Sequence, residues 1–545
     1  MRNFLTIAAP ALSLLVTVGC SGAPGNLKDP PILKVTSPAR SLVKSGAGQI
    51  MVTGTVGPNA DGVPVATVLV NDVQAEVGPD GTFQASIEVK EGASFIQTIA
   101  RDEEGGQASD TRAVHAGNVL PAGSNIASAV TVSMSADAFD KISAAAGPII
   151  KGMDIAGMLA PMQPMQKSGP PSCLYEQVFV NDLKFSDIAI KLEPSAGGLN
   201  FFAQIDGLDV PGMANYAVAC LGGSTGFRVT ADRVVISGTL LVEPNGMKGF
   251  STTLVNKTVD LTNFQFNATG IPGQIINMIN MRSTIESILA TGAELAMQPM
   301  LNAALGALAG PKQIEIMGKQ MNIEVDPNDI SFDVTGALVT MNMAMLIGGS
   351  EASTFIYTEN GLPLMDPGKG FQLGLADDLA NEMMSEAKSL GLLDLSMPTA
   401  GGTFDSTGIA MTLPPMISAD PKDGHMRVVL GDMIATFMSG STPMGKAAIN
   451  ASLDLKIETA ANGYAVALKL GEPKIEFNIL DDFENQTRLE PADLENASES
   501  ALKAQIAGIT QLLVNIPLPN VAGLQVRNLT IGSDSGYVMV NGALE

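Results

Sequence analysis

The sequence predicts an α+β protein. Two similar halves each carry a mainly antiparallel sheet covered by long amphipathic helices, and an all-β sandwich precedes them. Three observations lead there. Residues 31–118 alternate polar and apolar side chains in short runs parted by turn dipeptides. Beyond residue 118 the strands lengthen and a few segments change to helical spacing. The order helix, strands, helix, strands then occurs twice.

The first residues read as a processed segment. Arg2 supplies a positive start, residues 4–16 are almost wholly apolar, and Thr17-Val18-Gly19 precede Cys20. A run this short is a secretion signal rather than a membrane span. It resembles a bacterial lipobox, with Thr17 where Leu or Val is usual. The resemblance implies a lipoprotein signal peptide over 1–19, cleavage before Cys20 and lipid attachment to its thiol. Ser21, rather than Asp, after the cysteine implies the outer membrane of a bacterium by the same resemblance. Residues 20–30, rich in Gly, Pro and Ser, read as a flexible tether.

Within 31–118, about seven short strands are separated by Asp61-Gly62, Asn71-Asp72, Asp80-Gly81 and Gly105-Gly106. That spacing predicts a β-sandwich. Val70-Asn71-Asp72-Val73 and Pro79-Asp80-Gly81-Thr82-Phe83 resemble the immunoglobulin-like modules of exported bacterial proteins, which implies a spacer or an adhesion unit. Asp102-Glu103-Glu104 is read as a solvated turn in preference to a calcium loop.

The first half is assigned to 119–325. A strand over 129–135 runs into a helix over 137–157, where Phe139, Ile142, Ala146, Ile149, Ile150 and Met153 share a face. Ser135 is its expected cap and Gly147-Pro148 its expected kink. Strands follow at 177–192, 198–210, 227–242 and 249–266. Pro272 then opens a helix striped by Met278, Met281, Ile285, Ile288, Leu289, Gly292 and Leu295, which Pro299 kinks or ends. The second half is assigned to 326–545. Its first helix spans 375–390, with Leu379, Ala380, Met383, Ala387 and Leu390 on one side. Its second spans 493–513, with Leu502, Ile506, Ile509 and Leu513 aligned, and a hairpin over 521–544 follows.

Composition narrows the function. Apolar residues make up 46% and charged residues 16%, and mean hydropathy is +0.23. After the signal no run of about 18 uninterrupted apolar residues occurs. The surplus apolar surface must therefore be buried or line a space for apolar ligands. The net charge of −24 disfavours nucleic acid and a broad grip on anionic headgroups. Cys173 and Cys220 remain as an even pair in an oxidising compartment, which predicts a disulfide. With only His115 and His425 beside them, no metal site is expected, and no cofactor.

Three stretches carry a family resemblance. They are Val130-Thr131-Val132-Ser133-Met134-Ser135-Ala136-Asp137-Ala138-Phe139, then Gly374-Leu375-Ala376-Asp377-Asp378-Leu379-Ala380-Asn381 with Gly391-Leu392-Leu393, and Ile516-Pro517-Leu518-Pro519. Across residues 124–545 the chain resembles the tubular lipid-binding superfamily, in the branch of the bactericidal/permeability-increasing proteins. The resemblance implies two barrels joined end to end through a shared central sheet, as a boomerang. Each would hold acyl chains between a long helix and its sheet. The lining it implies is Ile142, Ile149, Ile150, Met153, Met278, Met281, Ile285, Ile288 and Leu289 in the first half. In the second it is Leu379, Met383, Leu502, Ile506, Ile509 and Leu513. Two features depart from the family. The cysteines are not placed as in the animal proteins, and the strong acidity replaces the cationic tip that seizes endotoxin. Neutral or zwitterionic lipid is therefore the expected partner. The 29 methionines suit a pliable cavity.

Two motifs tempt toward chemistry. Gly222-Gly223-Ser224-Thr225-Gly226 fits G-x-S-x-G but lacks the strand-then-helix setting. Residues 440–446 read G-x-x-x-x-G-K, yet Ala447 stands where a phosphate loop needs Ser or Thr. No catalytic residue is assigned. The expected protein is a lipid-anchored envelope protein that binds or transfers lipid. The alternatives are a surface adhesion or scaffold lipoprotein with solid-packed barrels, and a hydrolase using Ser224.

Overall fold

The computed structural model describes residues 29–168, 173–218, 220–246, 249–268, 281–305, 309–364, 366–398, 404–419, 426–459, 466–481, 500, 502–504, 506 and 524–545. The signal segment with Cys20, and Met278, His425, Ile509, Leu513 and 516–519, lie outside the described residues. The chain divides into two compact units. The smaller takes residues up to Pro38, Ile50–Ile87 and Gln97–Asp110. The larger takes Ala39–Gln49, Glu88–Ile96 and Thr111–Glu545.

The smaller unit is all β. Ile32–Ser37 pairs antiparallel with Gly48–Gly57, and Val65–Val70 pairs antiparallel with Gly92–Asp102. Thr82–Val89 shows the period of two that a one-sided sheet demands: Phe83, Ala85, Ile87 and Val89 are buried and the residues between them exposed. At Gly54 a Cβ would sit 2.4 Å from the Lys34 carbonyl oxygen and 2.6 Å from the Phe83 ring, so only glycine fits there. Asp102 folds its loop on itself. Its Oδ1 accepts the N–H groups of Glu104 (3.0 Å) and Gly106 (2.7 Å), the bonding of a closed turn.

Among the described residues, three seven-stranded sheets lie within the larger unit. The central one has seven strands in the order Gly310–Ile316, Lys319–Asp333, Gly336–Ile347, Ile126–Ser135, Phe371–Ala376, Tyr537–Leu544 and Val526–Asp534. Its middle pair is antiparallel, with Val130 opposite Leu375 and Met134 opposite Phe371. Each of those two strands runs directly into a helix: Ser135 into α1 (Ala136–Lys151) and Ala376 into a helix at Asp377–Ser389. Because the strands are antiparallel, the helices leave from opposite ends of the sheet. Two of the stretches that carry the family resemblance are therefore hydrogen-bonded to each other.

The first-half sheet is built on Gly198–Val218 and Leu221–Pro244, of 21 and 24 residues, paired from Leu199 with Leu240 to Val218 with Leu221. Strands this long accumulate twist, which curls the sheet. The predicted strand over 177–192 is two strands, Leu174–Val180 and Asp187–Ser195. The second-half sheet is built on Met426–Ser439 and Thr442–Thr459. The turn between them carries Gly440 at φ +58°, so the G-x-x-x-x-G-K match is a β-hairpin.

The helices depart from expectation in instructive ways. Ser135 Oγ does accept the Ala138 N–H, at 3.5 Å. Pro148 lies inside α1 without ending it. The break comes at 152–154, where Asp154 Oδ1 caps Gly157 N–H (2.8 Å) and starts α2 (Ile155–Leu159), turned by 84°. A side chain that competes for backbone N–H groups starts a new helix here. Ile149 is 38% exposed. It sits at the rim of a buried arc centred on Phe139, Ile142 and Ala146, which corrects its place in the stripe. Next comes α3, described over Met281–Leu305, which continues through Pro299. Its end is held by Asn302, whose amide accepts the Phe250 N–H at 2.6 Å and donates to the Phe250 carbonyl at 3.1 Å. The helix after Ala376, α4 (Asp377–Ser389), starts two residues later than expected because sheet pairing claims Leu375 and Ala376.

Polar anchors complete the larger unit. Asp432, fully buried, accepts Arg40 Nη1 (2.9 Å), Ser41 N–H (2.6 Å) and Ala113 N–H (3.1 Å). Cys173 and Cys220 are disulfide-bonded across 47 residues. Asp432→Ala removes the buried acceptor of Arg40 Nη1, Ser41 N–H and Ala113 N–H and is expected to cost about 3–5 kcal/mol in chemical denaturation. Reducing the disulfide is expected to cost about 3–4 kcal/mol in the same measurement, by freeing the enclosed loop in the unfolded chain.

Candidate functional site

Between the helices and the curled sheet of the first half lies an apolar cleft. The helical wall is Ile150 of α1, Ile155 of α2, and Leu289, Gly292, Ala293, Ala296 and Met297 of α3. The sheet wall follows the pleat: Ile188 and Ile190 on one strand, Phe201, Ala203 and Ile205 on the next, Ile236 on the third. Leu183 and Phe185, from the connector between Leu174–Val180 and Asp187–Ser195, close one side. The space exists because α3 turns small side chains toward large ones. A Cβ added at Gly292 would already stand 3.3 Å from Ile155 Cγ2. The walls enclose a narrow cavity of about 30 Å³. All described lining residues are apolar.

The connector is pinned at its backbone. Asn181 N–H donates to Pro211 O (3.0 Å), Lys184 N–H to Asp209 O (2.9 Å) and Ser186 N–H to Asp206 O (2.9 Å). At the end of α1, Lys151 Nζ donates to Ser186 O at 2.6 Å.

Of the residues expected to line a cavity, Ile150 and Leu289 do line this cleft. Ile142, Met281, Ile285 and Ile288 are packed into the surrounding core, and Met153 leans against it half-buried. Leu379 joins the same core, Met383 touches both it and the second-half core, and Leu502 and Ile506 belong to the second-half core. The sequence reading missed the sheet wall entirely, although the alternation at 183–190 and 201–205 was there to be read.

A second site was hidden by its polarity. The buried face of α4 carries Asp378, Glu382 and Glu386 at spacings of four, all at most 1% exposed. Asp378 Oδ1 accepts Thr358 N–H (2.9 Å), Glu382 Oε1 accepts Gly123 N–H (2.8 Å) and Glu386 Oε2 accepts Ile347 N–H (2.5 Å). Glu382 Oε2 and Glu386 Oε1 have no hydrogen-bond partner. Burial, then the neighbouring Asp377, pushes the Asp378 carboxyl up to about 7. Burial, then Glu386, pushes Glu382 up to about 8, and burial pushes Glu386 up to about 7.

The chemical motifs resolve simply. Ser224 is an exposed strand residue opposite Asn215. His115 is buried, and desolvation lowers its imidazole to about 4, so it is neutral.

Comparison with known proteins gives partial likenesses. Residues 31–118 match the family model "Glucodextranase, domain B". No curated protein matches the chain. Among solved structures, a lipopolysaccharide binding protein is similar at 11% identity and a TM-score of 0.38, over 76% of this chain and 99% of that one. P47 of Clostridium botulinum E1 is similar at 7% identity and a TM-score of 0.30, over 77% of this chain and 100% of that one.

The carboxyls of α4 give a pH dependence of defined sign. Their folded values lie above the unfolded ones, so their contribution to stability is complete below about pH 4 and is lost as pH rises to about 8. Glu382→Gln is expected to raise the thermal midpoint at about pH 8.5 and to flatten its decline from about pH 5.

Proposed function

We propose that this chain is a lipid-binding protein that seats one hydrocarbon chain of a lipid in the first-half cleft. The observation that carries the reading is a wholly apolar described lining with free space between a helix and the inner face of a curled sheet. In this reading the two curled sheets and their helices form two barrels that share the central sheet. The enclosed volume of about 30 Å³ is well below the roughly 150 Å³ of a cavity that holds one benzene, so hydrocarbon enters only as the walls part. Each buried CH₂ contributes about 0.8 kcal/mol, so ten of them supply roughly 8 kcal/mol before ordering costs are subtracted. Met297, Leu183 and Phe185 must part as the chain enters, since the fully accessible space is small. With a net charge of −24, neutral or zwitterionic lipid fits better than anionic lipid. The lipobox-like segment supports lipid anchoring at Cys20 in a bacterial envelope, with the outer membrane as the site of residence.

The small accessible space also favours a second reading, in which both halves are solid and the protein is an envelope scaffold or adhesin. Native mass spectrometry of protein purified from membranes separates the two. The first reading expects bound lipid, lost in Ala296→Phe, which fills the cleft while leaving the fold intact by circular dichroism. Lipid-free protein that also takes up no fatty acid or lysolipid in vitro would overturn it. Anchoring is tested independently: palmitate labelling is expected in the full chain and absent in Cys20→Ser.

A further inference from the structure

Met384 and Ala387 of α4 are buried in the second-half core with Phe404, Leu430 and Phe437, and the Asn381 amide is bonded to Ile417. Toward the central sheet α4 presents Leu379 together with the three carboxyls. The three N–H groups those carboxyls hold come from separate segments. Gly123 precedes the strand Ile126–Ser135, Ile347 ends the strand Gly336–Ile347, and Thr358 follows the strand Thr354–Tyr357.

Among the described residues, the strands around the row hold no countercharge. The strands Ile126–Ser135, Gly336–Ile347, Phe371–Ala376 and Met416–Ala419, which contact α4, contain no ionisable side chain. The ionisable groups that face the row are Asp377, Glu351, Glu359, Tyr357 and Tyr537, all acids. Lys388 on the last turn is the one base of α4 itself. Among the described residues no ion pair reaches Asp378, Glu382 or Glu386. A neutral carboxyl tolerates such burial. Three carboxylates in one row do not, because each loses its hydration and repels the next. Hydrocarbon contacts do not titrate, so ionisation acts on the carboxyl side, where the three N–H bonds favour the charged form but do not replace its lost hydration.

We propose that α4 is a proton-controlled latch: protonated Asp378, Glu382 and Glu386 fasten the second-half sheet to the central sheet, and their ionisation releases that side of the helix. Release frees Gly123, Ile347 and Thr358 while Met384 and Ala387 stay with the second half. Mildly acidic surroundings therefore keep that side of α4 seated, and alkaline ones loosen it.

Hydrogen exchange of the full chain, corrected for intrinsic base catalysis, tests this. Between about pH 6 and about pH 9, protection at the Gly123, Ile347 and Thr358 amides is expected to fall at least about tenfold. Val234, in the first-half sheet, is expected to hold its protection. In Glu382→Gln/Glu386→Gln the fall is expected to shrink to within about threefold. Unchanged protection in the wild type, or an equal loss at Val234, overturns the latch. Should the double variant not fold, infrared spectroscopy of the wild type decides. A protonated-carboxyl stretch at about pH 6.5 that disappears by about pH 9.5 is expected, and its absence at the lower pH overturns the proposal.

Discussion

Everything in the larger unit hangs on one antiparallel pairing, Ile126–Ser135 against Phe371–Ala376. It joins the start of one half to the start of the other and aims a helix out of each end. From Ala129 to Ser135 every residue is buried, so neither face of that strand is solvated and its register is fixed by packing on both sides. The remaining strands of the central sheet are added outward from this pair, three on one flank and two on the other. The curled sheets then sit beyond the helices that the pair launches.

The two launched helices illustrate different ways of burying a helix. On α1, Phe139, Ile142, Ala146 and Ile150 supply a hydrocarbon stripe, the ordinary solution. On α4 the buried face mixes Leu379, Met384 and Ala387 with Asp378, Asn381, Glu382, Ser385 and Glu386. Its polar members are tied to backbone, as when the Asn381 amide accepts the Ile417 N–H (2.7 Å) and donates to the Ile417 carbonyl (3.0 Å). One helix is thus seated by non-directional contacts and the other by such contacts together with directional ones.

This contrast also explains what was legible beforehand. The strand-into-helix steps at Ser135 and Ala376 could be read because alternation changes to helical spacing there. So could the disulfide, from an even pair of cysteines. The stripe of α3 located one wall of the cleft, through Leu289 and Gly292, but left out Ala293 and Ala296, whose smallness opens the space. Reading hydrophobicity alone ranks such small residues low. The same rule put Leu379, Ala380 and Met383 forward on α4 and ignored Glu382 and Glu386, since a buried carboxyl has no periodicity signal distinct from a solvated one. Neither Pro148 nor Pro299 ends its helix. Each sits within a helix whose neighbours are buried, as Ile150 and Met300 are, and tertiary contact outweighs a lost backbone bond.

The order of strands in the central sheet has a consequence for biogenesis. Its members are drawn from residues 126–135, 310–347, 371–376 and 526–544. Phe371–Ala376 gains its second neighbour only from Tyr537–Leu544. As the polypeptide emerges vectorially, that edge stays open until residues 537–544 follow, more than 160 residues later. An unpaired apolar edge of that kind invites association with other chains.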